Sequence, residues 1–140
     1  MNSDKEMKEI LLSSKTIASV GLSSNQEKDS FWIVSYLQEQ GYRIIPVNPT
    51  ATEILGEKSY PDLESIPEKV DVVQLFRKSE DVPPFVDSAI KIGAKVVWMQ
   101  VGIENVEAAR KAEAAGLKVV MNACMRITHR MLIGPKLMKI

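Results

Sequence analysis

The chain has 140 residues, of which 45% are hydrophobic and 26% charged, as is typical of one globular domain. Because its 18 basic and 18 acidic residues cancel, no overall positive field attracts nucleic acid or a membrane, and neither is expected as a partner. No apolar run reaches the ~20 residues that cross a bilayer, and the N-terminus lacks a signal-peptide pattern, so we expect a cytoplasmic protein. The single cysteine, Cys124, excludes an intramolecular disulfide, and the single histidine, His129, argues against a zinc site.

A glycine turn follows the first predicted strand. A short leading helix is predicted first, because Ser3 to Glu6 have the spacing of a capping box. A strand over 16–20 then ends at Gly21, and a polar loop leads into a helix. This order is typical of a phosphate-binding turn, in which backbone N–H groups and the positive end of the helix dipole face an anion. Gly21 would permit a phosphate to approach the backbone closely, and the hydroxyl groups of Ser23 and Ser24 would donate hydrogen bonds to that phosphate.

The same stretch lacks the stricter nucleotide motifs. Ser23 and Gln26 stand where the dinucleotide fingerprint G-x-G-x-x-G requires glycine, and the Walker A pattern is absent. By itself, the stretch is equally consistent with a Gly21 that only ends a strand and a Ser30 that only caps a helix.

The rest of the chain alternates between strands and helices. The predicted order is a helix over 31–41, a strand over 42–49, a polar connection over 50–69 with a helical turn near Asp62 to Ser65, a strand over 70–76, a helix over 79–93, a strand over 94–102, an alanine-rich helix over 104–115 and a strand over 117–121. Short apolar strands that alternate with helices are typical of a parallel sheet joined by right-handed crossovers. The predicted fold is α/β, a Rossmann-like doubly wound sheet of five parallel strands with helices on both faces, in a single domain over 1–140.

In such a sheet, ligands bind outside the carboxyl ends of the strands, where the strand order reverses. Four segments follow a strand and are therefore candidates: Gly21 to Ser24, Asn48 with Pro49, Phe76 with Arg77, and Gln100 to Gly102. The ring of Phe76 could flank an adenine and the guanidinium of Arg77 could bind phosphate, although a core Phe beside a surface Arg is the simpler alternative. Lys28, near the helix start, could contact phosphate or be solvated.

No catalytic constellation is found in the sequence. Asn48 stands where NAD-binding sheets usually carry the acid that binds the ribose diol, so NAD is the weaker ligand hypothesis. Trp32 and Trp98 lie inside apolar runs and are interpreted as core aromatics. Cys124 is interpreted as an inert packing residue, and His129 as an exposed residue of the tail.

Several short motifs occur together in a specific order. They are Val20 to Ser23 with Lys28 to Ser30, Gly41-Tyr42 with Pro46 to Pro49, Phe76-Arg77, Val97 to Gly102, and Val120 to Cys124. From about Ile10 to Arg130, the chain resembles the small stand-alone CoA-binding proteins, which are similar to the N-terminal, Rossmann-like CoA-binding domain of the succinyl-CoA synthetase alpha subunit. The resemblance implies that CoA lies across the strand ends with its pyrophosphate at the first loop.

The resemblance also implies the residues of the site. They would face the phosphates, form the floor under the nucleotide, or form the opposite wall of the site. These residues are Gly21, Leu22, Ser23, Ser24, Lys28, Asn48, Pro49, Phe76, Arg77, Gln100, Val101 and Gly102. Thr50 stands where the ligase often has a lysine, and Asn122-Ala123-Cys124 where family members commonly read Asp-Arg-Cys, so neither segment is assigned a role. The ligase's phosphorylated histidine belongs to another domain, so His129 is not given that part.

The sequence therefore predicts a module that binds CoA or an acyl-CoA without catalysis of its own. The alternatives are an NAD-linked oxidoreductase, an acyl-CoA-handling transferase, and an interaction domain that has kept the fold and lost its ligand. An exposed edge strand or the alanine-rich helix could form a homodimer, but no sequence pattern decides this.

Overall fold

The computed structural model describes residues 2–136. The helices are α1 (Asp4–Ser13), α2 (Asp29–Glu39), α3 (Val82–Lys91), α4 (Val106–Ala114) and α5 (Met125–Leu132), and the strands are β1 (Thr16–Val20), β2 (Arg43–Val47), β3 (Glu53–Ile54), β4 (Glu57–Lys58), β5 (Val72–Leu75), β6 (Val96–Met99) and β7 (Lys118–Val120). Short 3₁₀ turns lie at Leu63–Ser65 and Ser79–Asp81. None of the helices described is both long and apolar enough to span a bilayer.

The main sheet has five strands in the order β2-β1-β5-β6-β7, and every neighbouring pair is parallel. In β1, Ile17 pairs with Ile44 of β2 on one side and with Val72 of β5 on the other. The chain therefore moves outward from β1 to β2 and then returns to the opposite side of β1. The strand order reverses between β1 and β5, and this is where open α/β sheets bind their ligands.

Helices cover both faces of this sheet. On one face, α3 and α4 bury valine and alanine side chains against Val73, Leu75 and Val97. On the other face, α1, α2 and α5 pack against strand residues that include Ile17 and Val72. Because neighbouring residues of a strand point to opposite faces, a single apolar strand serves both cores. The predicted doubly wound α/β fold is confirmed.

The connection over 50–69 contains structure that the sequence did not predict. Strands β3 and β4 form a two-stranded antiparallel hairpin, and the two residues between them, Leu55 and Gly56, have positive φ angles of 56° and 74°. Two-residue turns with this geometry match the twist of a hairpin. The predicted helical turn is confirmed at Leu63–Ser65, where the carboxylate of Asp62 accepts a hydrogen bond from the backbone N–H of Ser65.

Two further predictions are wrong. His129 is 5% exposed and lies in helix α5, so it is not an exposed residue of the tail. This helix buries Thr128 and His129 together with Met125, and the polar residues on its inner face hide its helical periodicity. Trp32 is 52% exposed, because helix α2 buries the face that carries Ser30, Val34 and Leu37 instead. Trp98, by contrast, is fully buried as predicted.

Candidate functional site

Two clefts open at the carboxyl ends of the strands, on either side of the loop that follows β5. The first, here called the Arg77 cleft, has a volume of about 670 Å³, and its walls include Gly21, Ser23, Asn48, Pro49, Phe76 and Arg77. The second, here called the Gln100 cleft, has a volume of about 640 Å³, and its walls include Trp32, Ile33, Phe76, Gln100, Val101 and Ile127. Both volumes lie in the range of small-molecule sites.

A third, larger groove of about 740 Å³ lies beyond β7, and Asp4, Glu6, Glu104 and Glu113 contribute to its walls. It does not include residues from the loops after β1 or β5. Its carboxylates would repel an anion, so we place the candidate site at the strand reversal.

Gly21 is held against the loop that follows β5. Its φ angle is +85°, and a Cβ atom at this position would lie 3.2 Å from Cδ of Arg77 and 3.3 Å from Cβ of Phe76. Its N–H donates to the carbonyl of Val47, at 3.1 Å. A glycine is therefore needed here for its backbone conformation and for the packing of the two loops, whether or not a ligand approaches it.

Asn48 ties the loops after β1 and β2 together. Its Nδ2 donates to the carbonyl of Leu22, at 3.0 Å, and its Oδ1 accepts from the backbone N–H groups of Thr50 and Ala51, at 2.9 and 3.1 Å. The hydroxyl of Thr50 also donates to Oδ1, at 3.0 Å. The side chain thus shapes the edge of the Arg77 cleft, and its carbonyl oxygen is already engaged with the protein itself.

The cations of the Arg77 cleft are exposed. Nη2 of Arg77 lies 3.5 Å from Oδ2 of Asp81, and the two side chains are 48% and 42% exposed. A pair this open to solvent contributes little stability, so a phosphate can compete with the carboxylate for the guanidinium. Lys78 supplies a second cation to the same cleft.

Four of the predicted site residues do not form part of either cleft wall: Leu22, Ser24, Lys28 and Gly102. Leu22 is fully buried, whereas Ser24 and Lys28 are exposed beside the first loop. Gly102 donates its N–H to Oδ1 of Asn122, at 2.7 Å, which ties together the loops after β6 and β7. The other eight predicted residues are divided between two neighbouring clefts that have Phe76 in common.

A buried chain of polar side chains leads to the Gln100 cleft, and the sequence reasoning missed it. The hydroxyl of Ser19 donates to Oε1 of Gln74, at 2.8 Å, and Nε2 of Gln74 donates to Oε1 of Gln100, at 3.2 Å. Ser19 and Gln74 are fully buried, each one residue before the end of its strand, β1 and β5 respectively. A glutamine within the apolar run Val72-Val73-Gln74-Leu75 was the available signal, because buried polar groups need partners.

The orientation of the Gln100 amide follows from this chain. Its Oε1 also accepts from the backbone N–H of Met125, at 3.0 Å, and a backbone N–H can face only the oxygen of the amide. The Nε2 group therefore lies on the side of the amide that faces away from Gln74 and from the N–H of Met125. Within residues 2–136, Nε2 of Gln100 donates to no protein atom, and no side-chain nitrogen or oxygen is both buried and unpaired. Nε2 must therefore reach open space, and the cleft that Gln100 lines is that space.

Helix α5 begins at the floor of the same cleft. Cys124, at its N-cap position, is 8% exposed and lines the cleft together with Arg126 and Ile127. Across residues 2–136, no group of three or more His, Cys, Asp or Glu side chains could hold a metal ion. The described site therefore offers cations, hydroxyl groups, an amide and apolar walls as its means of recognition.

Comparisons with known proteins identify the family. Residues 15–130 match the family model described as CoA binding domain. The chain is 40% identical over 127 residues to the uncharacterized protein YneT of Bacillus subtilis, covering 91% of this chain and 94% of that protein. The structure of a hypothetical protein from Pyrococcus horikoshii superposes with a TM-score of 0.92 and 46% identity, over 95% of this chain and 94% of that chain.

A longer relative carries the same domain as one of its parts. Acetate–CoA ligase (ADP-forming) I of Archaeoglobus fulgidus is 31% identical over 121 residues, which cover 79% of this chain but 18% of the ligase. The predicted resemblance to the stand-alone CoA-binding proteins, which are similar to the CoA-binding domain of the succinyl-CoA synthetase alpha subunit, is thus confirmed. The chain belongs to the CoA-binding domain family.

Proposed function

We propose that this chain binds coenzyme A, as free CoA or as an acyl-CoA, across the carboxyl ends of β1, β5 and β6. The observation that carries the proposal is that Phe76 forms part of the walls of both clefts. A ligand with a charged nucleotide at one end and a long uncharged arm at the other can occupy the two clefts together. CoA has this form.

The Arg77 cleft suits the nucleotide end. Arg77 and Lys78 place two cations beside the loop after β1, and the guanidinium fork of an arginine matches phosphate oxygens in a bidentate fashion. The rings of Phe76 and Phe85, which line the same cleft, offer apolar surface to an adenine. Phosphate contacts from Ser24 and Lys28 stay predictions.

Membership of the family supports CoA as the ligand. The names of the similar ligases identify them as enzymes that use CoA. The aligned region makes up 18% of ligase I, so the proposal extends to binding of CoA and not to the activity of the ligase. NAD is the second candidate, since the fold accepts it, but the amide of Asn48 and its bonds to the neighbouring loop disfavour a ribose diol.

Calorimetric titration with CoA, ADP and NAD tests the proposal. We expect CoA to bind more tightly than ADP, because only CoA of these two reaches both clefts, and more tightly than NAD, because NAD carries a ribose diol. At 100 times its dissociation constant, a ligand adds about 2.7 kcal/mol to the free energy of unfolding, which thermal denaturation also detects. Stabilisation by NAD and not by CoA would contradict the proposal.

Arg77→Ala provides the site-directed test. We expect it to weaken CoA binding by tenfold or more, because it removes a phosphate ligand from the cleft. Arg110→Ala, on the exposed surface of α4, is the matched control and should leave the affinity unchanged. Equal CoA affinities for the two variants would remove Arg77 from the site.

A further inference from the structure

Resting on the proposed function, we propose that the Gln100 cleft holds the acyl group of an acyl-CoA, and that this group is an uncharged aliphatic chain. The thioester carbonyl accepts a hydrogen bond from Nε2 of Gln100. The natural ligand is then an acyl-CoA with a short fatty chain, in preference to free CoA or to a dicarboxylic acyl-CoA.

The first support is the amide of Gln100. The residue is 4% exposed, and its oxygen is fixed by two donors, Nε2 of Gln74 and the backbone N–H of Met125. The opposite end of the amide, Nε2, has no protein partner within residues 2–136, and Gln100 lines the cleft. Solvent can satisfy this donor in the free protein, and a carbonyl oxygen is the simplest ligand acceptor to replace that water.

The second support is the apolar surface around that donor. Trp32, Val101 and Ile127 line the cleft and are 52%, 64% and 55% exposed. They come from three separate parts of the chain, helix α2, the loop after β6 and helix α5, so their gathering at one cleft is a property of the fold. Exposed apolar side chains that cluster beside a polar group are typical of a ligand site.

The third support is the balance of charge at the rim. One acid, Asp29, and one base, Arg126, line the cleft. The guanidinium of Arg126 lies 5.9 Å from the ring centre of Tyr36, in a cation–π contact. The cleft therefore has no excess of positive charge to attract the second carboxylate of a dicarboxylic acyl group, and its walls favour methylene groups.

The test is a calorimetric series with CoA, acetyl-CoA, butyryl-CoA, hexanoyl-CoA and succinyl-CoA. Burial of each further methylene should raise the affinity by up to about fourfold, so the affinity should rise from acetyl-CoA to hexanoyl-CoA, and butyryl-CoA should bind about tenfold more tightly than free CoA. Succinyl-CoA should bind more weakly than butyryl-CoA, because its charged end would enter an apolar cleft.

Two variants locate the effect. Ile127→Ser should lower the ratio of butyryl-CoA affinity to CoA affinity by threefold or more. Leu12→Ser removes an apolar side chain of similar exposure, 63% against 55% for Ile127, near the end of helix α1 and outside the clefts, and should leave that ratio unchanged.

The only cysteine gives a readout that does not depend on affinity. Because Cys124 lines the Gln100 cleft, saturating butyryl-CoA, which has no free thiol, should slow its alkylation by iodoacetamide at least fivefold. ADP at saturation should not slow it.

The outcomes separate this inference from the proposed function. If CoA binds but the affinity does not rise with chain length, or if succinyl-CoA binds best, the acyl assignment is wrong and CoA binding stands. If neither CoA nor any acyl-CoA binds, the proposed function fails, and the acyl assignment fails with it.

Discussion

Gly21 and Arg77 come from different strand ends and are in contact, because the absent Cβ of the glycine leaves the space that Cδ of the arginine approaches. The loop after β1 and the loop after β5 are thereby fitted to each other at the point where the strand order reverses. Arg77, which we propose binds phosphate, is thus positioned by packing against Gly21, a residue without a side chain.

Gly21→Ala should disturb both stability and binding. The positive φ angle of +85° costs an alanine about 1–2 kcal/mol, and the new methyl group would push Arg77 out of place. Gly93→Ala is the control, because Gly93 has a similar φ of +75° with nothing within 4 Å of the added Cβ. In chemical denaturation, both variants should lose stability, whereas only Gly21→Ala should weaken CoA binding. An equal CoA affinity for the two would show that the contact does not matter.

The buried pair of Ser19 and Gln74 should behave as a coupled unit. Gln74→Leu leaves the Ser19 hydroxyl buried without its partner and should lower the free energy of unfolding by about 1–3 kcal/mol. Adding Ser19→Ala should restore part of this loss, because both polar groups are then gone. A double-mutant cycle measured in urea gives the coupling. Simple additivity of the two changes would contradict the network.

Asp71 should make folding sensitive to acid. Burial raises the pKa of its carboxyl group, but the backbone N–H groups of Lys15 and Thr16, at 2.8 and 3.0 Å, and the nearby ammonium of Lys95 outweigh burial and hold the pKa below 3.8. The folded protein therefore binds this proton less readily than the unfolded chain. The stabilisation is complete well above pH 3.8 and is lost as the pH falls through the lower pKa of the folded state.

Denaturation of the wild type and of Asp71→Ala between pH 2 and pH 7 tests this dependence on acid. The variant should be less stable near neutral pH, and its stability should decline less on acidification. Asp87→Ala, in which the exposed partner of Lys111 is removed, should keep the pH dependence of the wild type.

His129 should produce a second, milder pH dependence. Burial lowers the pKa of its imidazole below 6.5, and its Nδ1 lies 2.8 Å from the hydroxyl of Tyr36. The unfolded chain then takes up the proton first, so stability falls as the pH drops below 6.5 and levels off below the pKa of the folded state. Since the chain has one histidine, an NMR titration of the ring protons measures that pKa directly. A value above 6.5 would contradict the prediction.

Much of the fold could be predicted because the strands of a parallel sheet are apolar on both faces and are separated by glycines. The rule that ligands meet the carboxyl ends of strands then selected Asn48, Phe76 and Gln100 from the sequence alone. That rule identifies the carboxyl ends of the strands as the place where a ligand binds, but it does not predict on which face of the sheet each side chain lies. The division into two clefts, with Phe76 between them, depends on packing against helices α2, α3 and α5 and could not be predicted from the sequence.

The errors also have physical causes. The β3–β4 hairpin is too short, at two residues a strand, to show an alternating pattern. Helix α5 turns Thr128 and His129 inward, so apolar periodicity does not reveal it. The apolar neighbours of Trp32 predict a core residue, but its position on helix α2 exposes it to solvent in the wall of the Gln100 cleft.

The position of Phe76 between two clefts has a consequence for any ligand that spans them. When one half of such a ligand is bound in its cleft, the other half is held close to the second cleft. The second contact therefore forms at a high effective concentration. Nucleotide and pantetheine fragments, added as separate molecules, should therefore bind far more weakly than the intact molecule. In the proposed complex, the two clefts beside Phe76 therefore favour a ligand that is long enough to fill both of them.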